Sequence, residues 1–498
     1  MTWGPWAYND SSAYVSAARN LASGNGSVIQ HSTGKVKLLT EFPPFYPFFL
    51  SLFGGVNGDY ISVIRLLNSI LFGLSIFLLY FLINSISKNP AVAIIAVSLY
   101  AIFEHSLKIF TGAMSETLFI PLSMLAWILF ISYIKNNRKL IPFIALVLIS
   151  AILPVTRYAG IVFVGIIFLA LLLIDNSNSF KKKLPYALTY FFLSFFPIVI
   201  WASSLLTQFG KFGGKSFNFE WSIFREMFLS FKEMLAVISK WIPYTSVYSG
   251  SWISAFLQSA AGLLFFAIFV YSTALFFRQR DKKPIRKASI LFFFNINIIA
   301  YIGLIVFMHS TSSPRIDIID RTIIPLFPLL LISLTTFLSL MIDLSGRKMV
   351  PAVVFLLLSI IFVRYNFLLA RVYLDRLSTD GIGYTSREYM DSGIISAMKK
   401  LDQDRITISN LSGFVLFHTN EYPIFIENFP QYRFGDGISY GESQFRDESA
   451  ALILFKSEFF NFYGAEAQDL YQKVTDSLII EFEDQQAAIF SYQPSIQP

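Results

Sequence analysis

Apolar runs of about 20 residues, long enough to cross a hydrocarbon core of about 30 Å, recur along this chain between short polar turns. Ten runs cover residues 60–83, 91–110, 117–134, 140–153, 158–174, 186–206, 253–277, 290–308, 322–342 and 350–369. Two of them, 140–153 and 158–174, are short, and read either as separate spans or as one broken hairpin buried in protein. The pattern divides the chain into a polar head (1–59), a transmembrane bundle (60–371) with a long loop at 207–251, and a polar tail (372–498). In the long loop, glycines precede a stretch from Trp221 to Trp241 with apolar residues at near-helical spacing. That spacing predicts an interfacial amphipathic helix, with Trp221, Trp241 and Tyr244 at headgroup depth, which either seals the bundle or covers a substrate.

In the tail, Thr385-Ser386-Arg387-Glu388 has the form of a capping box, with Thr385 capping and Glu388 at N3, ahead of the periodic Ile394, Ile395, Met398 and Leu401. Strand-like runs follow at 406–409, 451–455, 478–482 and 487–492, and 464–474 reads as a helix. A small α/β domain of about 120 residues is expected there. The fold class is thus an α-helical polytopic membrane protein with a C-terminal extracytoplasmic α/β domain.

Composition agrees. The chain is 55% hydrophobic and only 14% charged, with mean hydropathy +0.58, whereas a soluble domain carries about 25% charged residues. Its formal charge of +7 comes from basic clusters in short loops, a placement that orients a membrane protein and does not indicate nucleic-acid binding. Lys135/Arg138/Lys139, Lys181/Lys182/Lys183, the six cations between Arg278 and Lys287, and Arg347/Lys348 fall in alternate loops. By the positive-inside rule that side is cytoplasmic, and the head, the long loop and the tail lie outside an inner or plasma membrane. With no cysteine, disulfides, thiolate metal sites and thiol nucleophiles are excluded. No signal peptide precedes Asp10, and Met1 to Trp6 reads as the exit of a helix, so a further span upstream is expected.

Acidic residues are scarce at the outer surface, so each of Asp10, Glu41, Glu116, Asp317 and Asp320 is a functional candidate. A carboxylate can take a proton from an acceptor hydroxyl or hold a hard divalent cation, although the ordinary role of a lone interfacial carboxylate is a solvated loop charge. Lys35, Lys37, Arg65, Lys108, Arg157, Arg315 and Arg321 form the outer cationic set. Arginine and lysine suit phosphate oxygens, and otherwise anchor headgroups or pair with carboxylates. Arg157 lies between two apolar runs and must be paired or functional, and Arg321 has Asp320 as an adjacent partner. His31, His105, His309 and His418 lack metal-ligand spacing and suit loop or packing roles. No P-loop, GxGxxG, HExxH or GxSxG motif occurs. The run from Gly210 to Lys215 lacks the preceding strand of a nucleotide site and lies outside.

The order of several motifs carries a resemblance. Asp10-Ser11-Ser12-Ala13-Tyr14, followed by Ala17-Ala18-Arg19-Asn20-Leu21-Ala22-Ser23-Gly24, resembles the first outer loop of GT-C fold glycosyltransferases of the family 39 and aminoarabinose-transferase branch. Glu41-Phe42-Pro43-Pro44-Phe45-Tyr46-Pro47 is similar to the acidic position before Pro-Pro in that loop, and Ser115-Glu116-Thr117-Leu118 to the second outer loop's acidic motif. Asp320-Arg321-Thr322 with Pro325 and Pro328 also resembles these proteins. The resemblance implies an inverting transferase that takes a sugar from a polyprenyl-phosphate donor on the outer face and gives it to a protein, lipid or glycan hydroxyl. It implies Asp10 as base, with Glu116 as the second catalytic carboxylate. Tyr14, Arg19, Tyr46, Arg157, Asp320 and Arg321 would contact substrate, and Glu41 with Asp10 would hold a divalent metal ion if one is used. No nucleotide cofactor is implied, because the lipid donor itself carries the energy; membrane lipids are the remaining partner. Ser11 replaces the second acid common in the protein-mannosylating branch. Phe42 replaces a lysine of the aminoarabinose branch, so phosphate neutralisation must come from other cations.

Two other classes are compatible with a polytopic chain. A transporter or lipid-linked-sugar flippase would carry mid-membrane charges or paired broken helices, whereas here the charges gather at one face and no half-repeat is evident. A non-enzymatic protein acting through its tail is the other.

Overall fold

The computed structural model describes residues 2–56, 58–135, 139–174, 180–209, 213, 215–219, 221–245, 247, 250–278, 287–345, 349–402, 405–425, 450–475 and 478–492. Arg138, Arg280, Lys282, Lys283, Arg286, Arg347 and Lys348 of the basic loops, and Gly210 and Gly214 of the glycine run, lie outside the described residues.

The head is more ordered than a loop. It contains α1 (Asn9–Ala22), the hairpin of β1 (Val28–His31) and β2 (Val36–Leu38), and α2 (Phe45–Gly54). Small residues let α1 pack on nearly all sides: Ser11, Ser12, Ala13, Ser16, Ala17 and Ala18 are all buried.

All ten predicted runs are helical. They are α3 (Tyr60–Ser87), α4 (Pro90–Ile102) with α5 (Glu104–Phe110), α6 (Glu116–Lys135), α7 (Leu140–Thr156), α8 (Gly160–Leu173), α9 (Phe180–Phe209), then, beyond β3 (Ser216–Phe217) and α10 (Ile223–Ser239), α11 (Trp252–Arg278) and α12 (Lys287–Thr311). After β4 (Ser312–Ser313) and the short α13 (Asp320–Ile323) come α14 (Leu326–Ser345) and α15 (Met349–Thr379). Among the described residues, seven helices are long and apolar enough to cross a membrane. The run 91–110 is instead bent by 64° between α4 and α5, because Phe103 adopts an extended backbone and stacks on Phe327 at 4.0 Å. The short runs α7 and α8 form a helical hairpin with Arg157 at its tip and pack on α9. Asp59 starts α3 by accepting the backbone N–H groups of Ile61 and Ser62, and Asn89 caps α4 with Pro90 in its first turn.

The helix expected in the long loop is α10, which packs on α12, buries Met234 and Val237, and leaves Phe224, Phe228 and Leu235 exposed. Trp221 is 92% exposed, as an interfacial residue should be, but Trp241 is 5% exposed and stacks edge-on against Phe103 and Phe327. Tyr244 packs on Tyr365 of α15. Neither residue is a free headgroup anchor, because the loop folds back over the α4–α5 bend.

The tail begins with α16 (Arg387–Met390) and α17 (Ile394–Met398), followed by β5 (Thr407–Ser409), α18 (Ser412–Thr419), β6 (Glu421–Tyr422), β7 (Ile424–Phe425) and β8 (Ala451–Phe455). It ends with α19 (Lys456–Tyr463), α20 (Ala467–Thr475), β9 (Leu478–Glu483) and β10 (Ala487–Tyr492). The sheet runs β7-β5-β8-β10-β9, with β5 parallel to β7 and β8, and β10 antiparallel to β8 and β9. The expected capping box is not formed. Helix α16 starts after Ser386 and runs only four residues, while the Thr385 hydroxyl donates to the Pro5 carbonyl at 2.7 Å. Helix α18 carries no amphipathic pattern because it is buried on every side between α1 and the sheet. Gly413 at its start packs closely on Asn9, since a Cβ there would lie 2.2 Å from Asn9 Oδ1 and displace that side chain.

Head and tail are joined. Strand β6 pairs in parallel with β1, Ser12 Oγ donates to the Gly413 carbonyl at 2.6 Å, and Arg19 donates to that of Phe417 at 2.8 Å. His418 lies in this junction, its Nε2 3.0 Å from the Tyr384 carbonyl. Burial pushes its pKa down from 6.5 to about 4, and Arg19 and Lys399 act in the same direction. An unfolded histidine takes up its proton near 6.5, so stability should fall as pH drops from about 6.5 to about 4, by at most ~3 kcal/mol. Melting of the purified protein across that range checks this, and His418→Gln should flatten the dependence.

Candidate active site

Two carboxylates stand at helix starts, where the helix dipole favours negative charge: Asp10 in the first turn of α1 and Glu116 as the first residue of α6. An extended segment holds these starts together. The Trp6 N–H donates to the Thr111 carbonyl and its carbonyl accepts from Ala113, each at 2.9 Å, while Ala7 bridges Gly383. Backbone hydrogen bonds thus fix the beginning of α1 beside that of α6 and beneath the tail.

Between them lies a cavity of about 420 Å³ whose wall includes Asp10, Tyr14, Ser115, Glu116, Arg157 and Arg321. Each principal carboxylate is bound by an arginine: Arg321 Nη1 lies 2.6 Å from Asp10 Oδ2, and Arg157 Nη1 lies 2.6 Å from Glu116 Oε1. The side chains of Asp10 and Arg321 remain 26% and 27% exposed, but Glu116 is only 2% exposed. Burial works against the charge of Arg157, yet Glu116 outweighs it and holds the guanidinium's pKa above its ordinary value. Arg157 also donates to Ser115 Oγ at 3.1 Å, and that oxygen is 3.2 Å from the Tyr14 hydroxyl. Burial pushes the Tyr14 phenol up, so it stays protonated.

Two further cations face the cavity, Lys215 and Arg315. Lys215 donates to the Pro314 carbonyl at 2.7 Å, and Glu226 of α10 holds Arg315 at 3.1 Å. Lys215 closes the glycine-rich run that lacks a nucleotide-site strand, and the outer position expected for that run is the one sequence signal for a cation here.

Asp320 is not the partner of Arg321. It accepts a hydrogen bond from Trp241 Nε1 at 3.0 Å, lies 3.4 Å from His105 Nδ1, and faces a second cavity of about 440 Å³. Asp10 and Arg321 line both cavities, so their ion pair forms part of the partition. The side chain of Arg19 is not on the cavity wall, since it packs over the Tyr60 ring and reaches Phe417. Tyr46 stands one layer back, edge-on to Tyr14 at 5.0 Å. Glu41 lines the first cavity but pairs with Lys37 at 3.0 Å. Among the described residues no three His, Cys, Asp or Glu side chains come together, and Asp10 and Glu41, the pair expected to hold a metal ion, are each engaged by a cation.

Residues 41–201 match the family of dolichyl-phosphate-mannose-protein mannosyltransferases. No curated protein matches the chain by sequence. Among solved structures, ArnT from Cupriavidus metallidurans bound to undecaprenyl phosphate superposes with a TM-score of 0.58 at 14% identity, over 99% of this chain and 95% of that one. The Archaeoglobus fulgidus oligosaccharyltransferase in complex with Zn and sulfate gives 0.57 at 12% identity, over 98% and 69%. AglB from the same organism, with an inhibitory peptide and a dolichol-phosphate, gives 0.55 at 13%, over 99% and 71%. By fold, therefore, the chain is an integral membrane protein similar to these GT-C structures, and it carries a small C-terminal α/β domain.

Proposed function

We propose that the protein moves a sugar from a polyprenyl-phosphate donor to an acceptor hydroxyl at the outer membrane face, with inversion and with Asp10 as base. The observation that carries this reading is the Asp10–Arg321 pair at 2.6 Å on a cavity wall that also presents Arg157, Lys215 and Arg315. A phosphate in that cavity competes with the Asp10 carboxylate for the guanidinium of Arg321 and releases Asp10 as it binds. The acceptor oxygen then bonds to the anomeric carbon, the bond from that carbon to the phosphate oxygen breaks, and the hydroxyl proton passes to Asp10. Charge developing on the leaving phosphate falls among preplaced cations. A single displacement inverts the anomeric centre. Arg157 stays tied to Glu116 and orients the Tyr14–Ser115 hydroxyls toward the phosphate. No step passes through a metal ion.

The family that matches residues 41–201, and the lipid phosphates held by ArnT and AglB, support a lipid-linked donor. The basic loops at the opposite helix ends support an outward-facing site. The acidic and basic groups of both cavities sit at helix ends and turns, which favours catalysis over transport. Undecaprenyl-phosphate binding to the purified protein tests the reading. Lys215→Ala and Arg315→Ala should each weaken it about tenfold, the scale of one charge-assisted phosphate contact. Unaltered binding in both variants would remove the phosphate from this cavity.

A further inference from the structure

Three cavities stand in a row, and the residues they share link them. The first and second share Asp10 and Arg321; the second shares Tyr8 with an open cleft of about 920 Å³. This cleft lies between the end of α15, the turn after it, and the β9–β10 turn of the tail. We propose that the second cavity and the cleft are the acceptor site, and that the acceptor is an uncharged glycan arriving from the aqueous side. The proposal rests on the reading of Asp10 as a base facing a lipid-phosphate donor in the first cavity. An acceptor hydroxyl in the second cavity would then meet Asp10 from the side opposite the donor, as in-line displacement requires.

Charge argues against a phosphate-bearing acceptor. Asp380, Glu388, Asp391, Glu458 and Asp484 face the cleft, against Arg376 and Arg387 among the described residues. Arg387 is already paired with Asp391 at 3.2 Å. Polarity argues against a lipid acceptor in the cleft, where Ile382 is the one aliphatic side chain among the described lining residues; Ile109 and Ile319 line only the inner cavity. Carboxylates accept hydrogen bonds and cannot donate them, while amides such as Asn461 and Gln486 do both, which suits an array of sugar hydroxyls. Asp484 is held rigidly on the cleft wall. Its Oδ1 takes the backbone N–H groups of Gln486 and Ala487 at 2.8 Å each, and its Oδ2 is buried with no hydrogen-bond partner among the described residues.

The passage toward Asp10 is aromatic. The rings of Trp6 and Tyr8 lie 5.8 Å apart, and both line the second cavity. Trp6 is fixed by its Nε1–H bond to the Lys108 carbonyl and by packing on Gly112, where a Cβ would lie 2.2 Å from the ring. Tyr8 is 48% exposed and braced edge-on by Tyr384 at 5.9 Å. Rigid aromatic faces beside carboxylates match the apolar faces and hydroxyl rims of sugar rings. A peptide would need apolar pockets or an unpaired strand edge, and the backbone here is already bridged between Ala7 and Gly383.

The test uses the full chain in lipid nanodiscs, applied to arrays of neutral oligosaccharides, anionic oligosaccharides and Ser/Thr peptides, with undecaprenyl-phosphate binding measured in parallel. Neutral oligosaccharides should be retained. Tyr8→Ala and Glu458→Gln should each weaken retention about tenfold, as for a lost aromatic or charge-assisted contact, and leave lipid-phosphate binding unchanged. Glu458→Gln alters a cleft side chain only and keeps the test alive if Tyr8→Ala misfolds. Preference for peptides or anionic glycans, no retained neutral glycan, or retention unaffected by either variant overturns the proposal. Failure to bind undecaprenyl phosphate would instead overturn the donor reading, whatever the arrays give.

Discussion

Asp10→Asn will slow sugar transfer by about 10²–10⁴-fold, the range for loss of a general base, while the protein still inserts and melts close to the parent. The amide keeps the shape of the carboxylate at the start of α1 but can neither take the acceptor's proton nor bind Arg321 as an ion. Folding should tolerate the change because both partners of the Asp10–Arg321 pair keep about a quarter of their side-chain surface exposed, so the freed guanidinium can be solvated. Transfer from a polyprenyl-phosphate sugar, measured beside melting and lipid-phosphate binding, separates the cases. An Asp10→Asn protein that transfers at the parental rate is not using Asp10 as base.

Arg157→Ala should have the largest effect on stability. It leaves Glu116, 2% exposed, as a buried charge without its partner, and breaking such a pair costs about 3–5 kcal/mol. Adding Glu116→Gln removes the stranded charge and should recover most of the melting temperature. It should not recover undecaprenyl-phosphate binding, because the guanidinium on the cavity wall is still missing. Parental melting of Arg157→Ala would show that the pair contributes little. Full lipid binding by the double variant would remove Arg157 from the phosphate site while leaving its structural role intact.

The sequence could be read where local rules suffice. The ten apolar runs are each helical, and among the described residues seven of the helices have the length and composition needed to cross a bilayer. The tail strands 451–455 and 487–492 coincide with β8 and β10, because short apolar runs between turn residues have few other options. Local rules failed where a neighbour decided. Thr385 has the sequence of a cap, but its hydroxyl bonds to Pro5. Trp241 has the composition of an interfacial anchor, but Asp320 accepts its N–H within the folded loop. Arg19 follows the Asp10 motif on the same helix, yet its side chain reaches the tail at Phe417.

By itself, then, the sequence determined the membrane class, the helical spans, and the scarcity of acids that made Asp10, Glu41, Glu116, Asp317 and Asp320 candidates. Those properties depend on residue type and spacing alone. Only the tertiary structure decided which cation serves which carboxylate: Arg321 binds Asp10 and not its neighbour Asp320, and Arg157 binds Glu116. It also placed Lys215 at the cavity and Asp10 between two cavities. The physical reason is that an ion pair needs its atoms within about 4 Å. Approaches between residues so distant in the chain are set by how α1, α6, the α7–α8 hairpin and α13 pack, a property of the whole bundle that no local stretch encodes.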